Sequence, residues 1–445
     1  MQATTPSGTR VLTHTYDQVG RLTGTVEQPG NTHGFAYDRV GNLLRQQVNG
    51  ITTTVQTYNN AQEVVDWHYD AADNLLTLQS SNVHGTSVRY AYDELNRLQS
   101  VTDQRLNPGT TRYTYDAVGN LDTLTYPNGV ASTHTYDDLN RLTTVAVGSG
   151  TLGQFTYTLD AAGMRTRLVD HTGRTIDYSY DQTYRLVSEQ VTNDPQSANG
   201  SVSYTYDAAG NRLRRTSTLS GVDNQSFSYD ANDRRSDAIY DPNGNLLSAG
   251  GTTSTYDYAN RLVSDGSVRL VYDGDGHLVQ QTVGGVTTTY LVDEQNPTGY
   301  AQIVEEAGAG TVQRTLTYGY DLLSLNDVVG GSGTAHFVGY DGLGSVRLLT
   351  DSTGAVSDRY EYEAFGTVLR QTGSTANPYQ FTGERFDATL GLYYLRARWY
   401  DGGTGRFLTR DTYPIDVQNP GELNRYGYTA NNPVNGDGPE RGGGG

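Results

Sequence analysis

The sequence predicts an all-β protein, an array of β-hairpins joined into one continuous, spiralling sheet. Three observations predict this fold. Tyrosine and glycine are frequent, with 35 and 53 of 445 residues; a short motif recurs at nearly constant spacing; and each copy carries the residues of a tight turn. Tyrosine fits the half-buried surface of a pleated sheet, and glycine supplies the turns between strands.

The repeated unit is an alternating strand that ends in Tyr-x-Tyr and continues as Asp-x-x-Gly-Asn/Arg-Leu. Clear copies lie at residues 16–22, 37–43, 115–121 and 206–213. The motif aspartates Asp17 and Asp38, like Asp116 and Asp137, are 21 residues apart (38 − 17 and 137 − 116). A period of this length is typical of an array of supersecondary units.

The motif predicts a type I turn closed by a residue in the left-handed region. The aspartate carboxylate can accept a hydrogen bond from the backbone two residues on, and glycine three residues later takes a positive φ at little cost. Where glycine is missing, asparagine or aspartate, which tolerate this region, usually replaces it. These replacements are Asp73, Asn96, Asn140, Asp233 and Asn260. Gln62 and Tyr184 do not follow the pattern.

Each unit is therefore predicted to be a hairpin with paired tyrosines, such as Tyr113 and Tyr115, on one face. A lone hairpin is marginal in water, and cross-strand aromatic pairs add only about 0.2–1 kcal/mol each. The hairpins must therefore join edge to edge. Because a long sheet twists, it must also curl, so we expect a shell or part of a shell.

Composition excludes several classes of function. With no cysteine, neither disulfides nor thiolate metal sites can form. A net charge of −18 argues against binding nucleic acid, and no apolar run is long enough for a membrane span. The eight histidines lack ligand spacing and no cofactor motif is present, so we expect no metal and no cofactor. Asp273 and Asp275 are interpreted as turn residues rather than as a calcium site.

The spacing and the glycine content divide the chain into four parts. Residues 1–290 are the regular repeats, 291–336 are irregular repeats with glycine-rich loops, 337–435 form a distinct C-terminal region, and 436–445 are a glycine-rich tail. Within the C-terminal region, residues 391–411 predict a hairpin whose turn is the segment 401–405.

The C-terminal region, together with the repeats, resembles the RHS/YD-repeat family, which includes bacterial Rhs toxins, C components of insecticidal toxin complexes and teneurins. The matching segments lie at 340–351, 360–366, 379–384, 391–401, 405–407, 424–428 and 431–434. The resemblance implies a hollow shell of spiralling hairpins around a variable C-terminal toxin domain. It also implies a core region, here 337–435, that closes one end of the shell.

The same resemblance implies an aspartyl autoprotease that releases the toxin. Asp411 matches the first aspartate of that family site, and Arg410 matches the arginine that would hold a carboxylate or polarise the scissile carbonyl. Two carboxylates in one site can divide the roles of acid and base. The second aspartate is out of register: Gly438-Pro439 stands where Asp-Pro is expected, and Asp437 comes one residue early.

The sequence thus leads to one favoured function and two alternatives. The favoured function is a non-catalytic shell scaffold of an RHS-type toxin system, whose partner is a C-terminal effector or another shell-forming chain. The alternatives are a carbohydrate-binding adhesion protein that uses surface tyrosines, and a working autoprotease. The family resemblance implies a secreted or cell-surface protein, although residues 1–6 lack the features of a secretory signal.

Overall fold

The computed structural model describes residues 2–5, 8–28, 31–37, 43–49, 51–55, 65–72, 74–329, 332–413 and 423–436. These ranges hold 39 strands and two short 3-10 turns, Phe381–Gly383 and Thr429–Asn431. Within each sheet, every strand pairs antiparallel with the next strand along the chain, which confirms the predicted array of hairpins. No helix in the described ranges is long and apolar enough to cross a membrane.

The strands form four sheets. The N-terminal sheet has six strands: β1 Gln2–Thr5, β2 Gly8–Tyr16, β3 Leu22–Gln28, β4 Thr32–Tyr37, β5 Leu43–Val48 and β6 Ile51–Val55. The 15-stranded sheet, called the first course, comprises β7 Val65–Tyr69, β8 Leu75–Ser80, β9 Ser87–Tyr92, β10 Leu98–Asp103, β11 Thr110–Tyr115, β12 Leu121–Thr125, β13 Ala131–Tyr136, β14 Leu142–Val147, β15 Gly153–Leu159, β16 Arg165–Asp170, β17 Thr175–Tyr180, β18 Leu186–Thr192, β19 Gly200–Tyr206, β20 Arg212–Ser217 and β21 Gln225–Ser226.

The 14-stranded sheet, called the second course, comprises β22 Ile239–Tyr240, β23 Leu246–Ala249, β24 Thr252–Tyr256, β25 Leu262–Asp265, β26 Val268–Tyr272, β27 Leu278–Val283, β28 Val286–Asp293, β29 Gln302–Gly308, β30 Thr311–Tyr318, β31 Leu322–Val329, β32 Ser332–Tyr340, β33 Val346–Thr350, β34 Val356–Tyr362 and β35 Val368–Thr372. The C-terminal sheet comprises β36 Arg385–Asp387, β37 Leu392–Leu395, β38 Arg398–Asp401 and β39 Arg406–Phe407. The predicted boundaries at 290/291 and 336/337 fall within the second course.

The turn between β9 and β10 shows how the motif works. The N–H of Asn96 donates to the Asp93 carbonyl at 3.0 Å and closes the turn. The Asp93 Oδ1 accepts the N–H groups of Leu95 and Arg97, both at 2.9 Å. Its Oδ2 accepts the Arg97 Nε–H at 2.8 Å. One carboxylate therefore organises the whole turn, and the Arg or Asn of the motif is the side chain that completes it.

The predicted left-handed positions adopt that conformation wherever the structure describes them. Asn96, Asn140, Asp233 and Asn260 have φ between 58° and 63°. Tyr184 takes φ 63° as well, although its side chain is poorly suited to it. The turn thus imposes the left-handed conformation on Tyr184 despite its side chain. Asp73 and Gln62 lie outside the described residues.

In many repeats a tyrosine hydroxyl couples the hairpin to the one before it. Tyr115 is displaced by a bulge after Thr114, and its hydroxyl donates to the Leu98 carbonyl at 2.7 Å. The Arg97 guanidinium lies 4.2 Å from the centre of the same ring. Equivalent hydroxyl–carbonyl bonds join Tyr136 to Leu121, Tyr206 to Leu186, Tyr256 to Leu246, Tyr340 to Leu322, and Tyr362 to Val346.

Contacts between the two courses show that the strip of hairpins coils. Hydrogen-bonded partners across the courses are separated by 226, 223, 222 and 223 positions along the chain. These pairs are Trp67–Asp293, Asn82–Glu305, Leu98–Tyr320 and Asn128–Asp351. In a strip that folds back on itself, the residue number would rise in one course and fall in the other. The sequence separation of contacting residues would then shrink by two positions for each residue along the first course. The separation falls later, to 159 for Tyr204 and Glu363, but a loss of 67 positions (226 − 159) over 137 residues (204 − 67) is far below two per residue. Both courses therefore run in the same direction, which requires the strip to circle round.

The second course lies between two other layers. Two consecutive residues of β29 point to opposite sides: Glu305 accepts the N–H of Thr86 at 2.6 Å in the first course, and Glu306 pairs with Arg385 of β36 at 2.5 Å. Strand β33 is buried at all five positions, whereas β9 of the first course alternates between buried and more exposed residues. The strip therefore winds inward, and the C-terminal sheet packs on its inner face.

Residues 391–411 form three short strands rather than the expected two. Their first half is broken by a tight turn in which Arg396 has φ 52°, so β37 pairs with β38, and β38 pairs with β39. Arg396 is held there by Glu384, 3.1 Å away. The alternation of large apolar and basic residues therefore does not correspond to one long strand, because the turn at Arg396 divides it. All four residues of β37 are buried.

Candidate functional site

The candidate site lies in the closing segment, defined as residues 377–413 and 423–436, which contains the C-terminal sheet. Tyrosine hydroxyls fix this sheet to the wall: Tyr393 donates to the Gly366 carbonyl and Tyr400 to the Phe365 carbonyl, both at 2.8 Å. The Trp399 indole N–H donates to the Tyr272 hydroxyl at 2.9 Å. These partners lie far apart along the strip, so the segment ties together distant parts of the coil.

Arg406 provides a buried cationic anchor for the closing segment. Its guanidinium donates to Asn211 Oδ1 at 2.9 Å and to the Asp233 carbonyl in the first-course region. It also lies 4.7 Å and 5.0 Å from the ring centres of Tyr229 and Tyr426. Burial lowers the pKa of Arg406, and the hydrogen bonds and aromatic faces stabilise the charge in place of water.

Asp411 lies just after β39 on the rim of this segment. Its Oδ2 is 2.8 Å from Arg398 Nη2, and its Oδ1 accepts the N–H of Tyr413 at 2.8 Å. The Arg425 Nε–H donates to the Asp411 carbonyl at 2.9 Å, and the Asp411 N–H donates back to the Arg425 carbonyl at 2.9 Å. Asp411 is thus held by two arginines that the sequence analysis did not select.

The other two predicted site residues do not complete a pair of carboxylates within the described ranges. The Arg410 side chain is exposed, and the guanidinium that contacts the Asp411 carboxylate belongs to Arg398. Asp437 lies outside the described residues. Alternation along β38 could have identified Arg398, because it places a basic residue on the same side as Tyr400 and next to Phe407.

The last described residues are fixed to the first course. Asn435 Oδ1 accepts the N–H of Arg165 at 2.8 Å, and its Nδ2–H donates to the Tyr180 hydroxyl at 3.0 Å. The Arg165 guanidinium donates to the Val434 carbonyl at 2.7 Å, and Val434 itself is buried. A polypeptide that continues beyond residue 436 therefore starts from a defined point on β16 and β17.

A second cluster of polar residues lies in the second course, and sequence analysis missed it. His277 Nδ1 is 3.2 Å from both Asp273 Oδ2 and Glu294 Oε1, and the ligand atoms of all three residues lie within 4.8 Å of one another. Hydrogen bonds to Asp273 and Glu294 raise the pKa of His277 to about 10. His277 occupies the motif position of Arg97, so the cluster is an ion-paired form of the same turn, extended by the next hairpin.

A cavity of about 700 Å³ lies between the closing segment and the second course. Its walls include Glu306, Arg314 and Gln371 from the second course and Arg385 and Asp401 from the C-terminal sheet. This volume is in the range of small-molecule pockets, far below that of a folded protein domain.

Comparison with known protein families identifies the class of protein that these features define. A profile of the Teneurin YD-shell family matches residues 7–239 and 174–434. The chain belongs to this family of YD-repeat shells.

Two bacterial proteins are among those similar to this chain. The chain is 32% identical over 254 residues to the tRNA3(Ser)-specific nuclease WapA of Bacillus spizizenii, a match that covers 52% of this chain and 10% of that protein. It is 27% identical over 253 residues to double-stranded DNA deaminase toxin A of Burkholderia cenocepacia, covering 52% of this chain and 16% of that protein. The chain thus spans a small part of these relatives' length.

Solved structures share the fold along nearly the whole chain. The crystal structure of TcdB2-TccC3-TEV superposes with a TM-score of 0.74 at 18% identity, covering 98% of this chain and 26% of that one. The Photorhabdus luminescens Tc holotoxin pore with the TccC3-D651A mutation gives a TM-score of 0.66 at 18% identity, covering 96% and 27%. The predicted RHS/YD-repeat resemblance is confirmed, and so is the fold of a toxin-complex shell.

Proposed function

We propose that this chain is a non-catalytic scaffold of an RHS-type toxin, which presents a C-terminal effector from a fixed point on the shell. The observation that carries this function is the anchoring of Val434 and Asn435 on β16 and β17. Because this segment is fixed to the wall, the polypeptide that follows it starts from a fixed position on the shell. The toxin relatives WapA and deaminase toxin A support an effector as the partner.

Full enclosure of an effector requires more wall than the described residues supply. Within the described residues, the cavity of about 700 Å³ beside the closing segment is too small for a domain, and buried residues of the C-terminal sheet belong to the same hydrophobic cluster as those of the second course. We therefore assign the enclosure to additional shell, either from the same polypeptide or from another shell-forming chain. The structural neighbours, in which TccC3 occurs together with TcdB2, support the second source. A secreted or cell-surface location follows from the same function.

The experiment fuses a protease-sensitive reporter enzyme after Gly445 and compares it with the free reporter. Presentation alone predicts that the fused reporter is active and is digested as fast as the free one. Enclosure within this chain predicts an inactive, protease-resistant reporter that regains activity in urea. A fusion that aggregates or unfolds the shell would contradict a scaffold role. Incubation of the unfused chain with total tRNA and duplex DNA should leave both unchanged, because we propose that the chain itself is not an enzyme.

Self-cleavage is a second candidate function, favoured by the convergence of Arg398 and Arg425 on Asp411. A carboxylate fixed by a guanidinium can act as a base that activates water, provided that a second carboxyl group supplies the acid; Asp437 is our candidate for that group. Self-cleavage predicts loss of a C-terminal peptide in the intact mass of the purified chain, abolished by Asp411→Asn. Asp351→Asn, in an exposed turn, is the control. A single uncleaved mass for the unmodified chain would exclude this activity.

A further inference from the structure

Two glutamates from different courses meet in the interior of the protein. Glu189 on β18 is 1% exposed, and Glu363, in the turn between β34 and β35, is 0% exposed. Both contact the hydroxyl of Tyr204, which lies 3.2 Å from Glu189 Oε1 and also contacts Glu363 Oε1. The N–H of Ala364 donates to Glu189 Oε2 at 3.2 Å. Two side chains of the first course and two residues in the turn of the second course therefore share one small polar cluster.

This cluster is not neutralised by a direct ion pair among the described residues. Arg212 lies over the rings of Tyr204 and Phe365, at 5.6 Å and 5.0 Å, but its Nη2–H donates to the Gly403 carbonyl at 2.6 Å. The Glu363 Oε2 has no hydrogen-bond partner. Two buried carboxylates without a counter-ion in contact cannot both be charged at low cost, because burial and mutual repulsion disfavour the second charge.

A single proton satisfies the geometry. A protonated Glu189 can donate from Oε1 to the Tyr204 oxygen, while Tyr204 donates its own hydrogen to Glu363 Oε1 and Glu189 Oε2 accepts the Ala364 N–H. Burial, and then the charge of Glu363, raise the pKa of Glu189 to about 8. Loss of this proton leaves two carboxylates on either side of one hydroxyl.

The other titratable and charged groups that face the cluster come from every neighbouring element. They are Arg174 just before β17, Tyr178 on β17, Tyr206 on β19, Arg212 and Arg215 on β20, and Tyr393 and Tyr400 of the closing segment. The pKa values of these four tyrosines are raised, so the tyrosines do not change their charge near neutral pH.

We propose that Glu189, Tyr204 and Glu363 form a pH-dependent latch, closed by one proton, that holds the end of the second course on the first course. Because Phe365 and Gly366 also accept the hydroxyls of Tyr400 and Tyr393, the same turn carries the C-terminal sheet. Opening of the latch in alkaline solution therefore loosens the inner layer and the closing segment together.

The stability effect has a definite sign. Glu189 binds its proton more tightly in the folded chain than in the unfolded chain, whose glutamate pKa is about 4.3. Its contribution to stability is therefore greatest below that value and is progressively lost as pH rises to about 8, above which it is constant. The melting temperature of Glu189→Gln, in which an amide replaces the acid, should lack this decline. Glu363→Gln should only lessen it, because burial still raises the pKa of Glu189 when the charge of Glu363 is removed.

The experiment compares melting temperatures from pH 5 to pH 9.5 for the unmodified chain, both latch variants and Glu94→Gln, a control on an exposed turn. The unmodified chain and the control should lose several degrees relative to the latch variants as pH rises. Equal pH profiles for all four would overturn the proposal. If the latch variants fail to fold, the infrared spectrum of the unmodified chain gives the decision. It should contain the carbonyl stretch of a protonated carboxyl group at neutral pH, disappearing near pH 8; its absence at neutral pH would also overturn the proposal.

Discussion

At the scale of single residues, the motif aspartate is the centre of the fold. In the turns at Asp116 and Asp137, the carboxylate accepts backbone N–H groups two and four residues on, and its second oxygen receives the Asn or Arg side chain at the fourth position. The sequence predicted the first bond from the position of the aspartate. The role of the residue four positions after the aspartate was not predicted. This position holds either Arg or Asn, which look unlike in sequence although both have a side-chain N–H that reaches the carboxylate.

Tyr184 offers a test of the turn geometry. It is the position where residue type and backbone disagree, with φ 63° and a side chain that is 54% exposed. Replacement by asparagine should stabilise the protein by about 0.5–1 kcal/mol, because asparagine tolerates the left-handed region and little buried surface is lost. Urea denaturation measures the change. Asn140→Tyr is the reciprocal control and should destabilise; an unstable Tyr184→Asn variant would contradict this account.

The turn aspartates also predict sensitivity to acid. Hydrogen bonds from the fourth residue or its side chain contribute to lowering the pKa of eight of them, namely Asp17, Asp70, Asp93, Asp116, Asp137, Asp181, Asp230 and Asp351. A lowered pKa in the folded state gives stability that is present above the unfolded value of about 3.9 and is lost as pH falls below it.

We therefore expect the melting temperature, followed by circular dichroism, to drop steeply below about pH 4, as these eight turns lose stability in the same range. Asp137→Asn should weaken this dependence slightly, since asparagine keeps a carbonyl acceptor but cannot titrate. A melting temperature that stays constant from pH 5 to pH 3 would show that the turn carboxylates do not stabilise the array.

At the scale of elements, consecutive hairpins are coupled by the tyrosine that precedes each motif aspartate. The sequence predicted both tyrosines of each pair, such as Tyr113 and Tyr115, as packing residues on one face, and Tyr113 is buried. Their hydroxyl bonds to the previous hairpin were beyond prediction, because the bulge that displaces Tyr115 is visible only in the register of the strands. Because these hydroxyls donate to backbone carbonyls, they do not offer that hydrogen to a sugar, as the carbohydrate-binding alternative would require.

Tyr115→Phe isolates one such bond. It keeps the ring under Arg97 but removes the donor to the Leu98 carbonyl, and should reduce the free energy of unfolding by about 1 kcal/mol. Tyr16→Phe, at a position that is 60% exposed, is the control and should change the free energy by less than about 0.5 kcal/mol. Equal effects of the two substitutions would mean that the hydroxyl does not couple the hairpins.

At the scale of the whole molecule, the sequence predicted a spiralling sheet but neither its layering nor the filled interior. Contacts between residues about 220 positions apart leave no trace in the local spacing. One signal was present: Glu305 and Glu306 are adjacent acidic residues in a strand, and both are buried because each face of the strand is covered. The candidate site was predicted in part, since Asp411 came from the family pattern whereas its partners Arg398 and Arg425 depend on the fold.

The central claim is that the strip coils so that the second course packs on the first. The absence of cysteine makes it testable by disulfide trapping, because an introduced pair has no competing thiol. Asn128 Nδ2 and Thr350 Oγ1 are 2.9 Å apart, and Asn82 Nδ2 and Glu305 Oε2 are 2.7 Å apart. Cysteine pairs at these positions should be joined through a short bifunctional thiol reagent, or directly as disulfides where the backbones are close enough, and the linked peptides are detected by mass spectrometry. A pair at Val118, on an exposed turn, and Val286, at the exposed start of β28, should stay unlinked. Free thiols in both contact pairs of the folded protein would contradict the coiled arrangement.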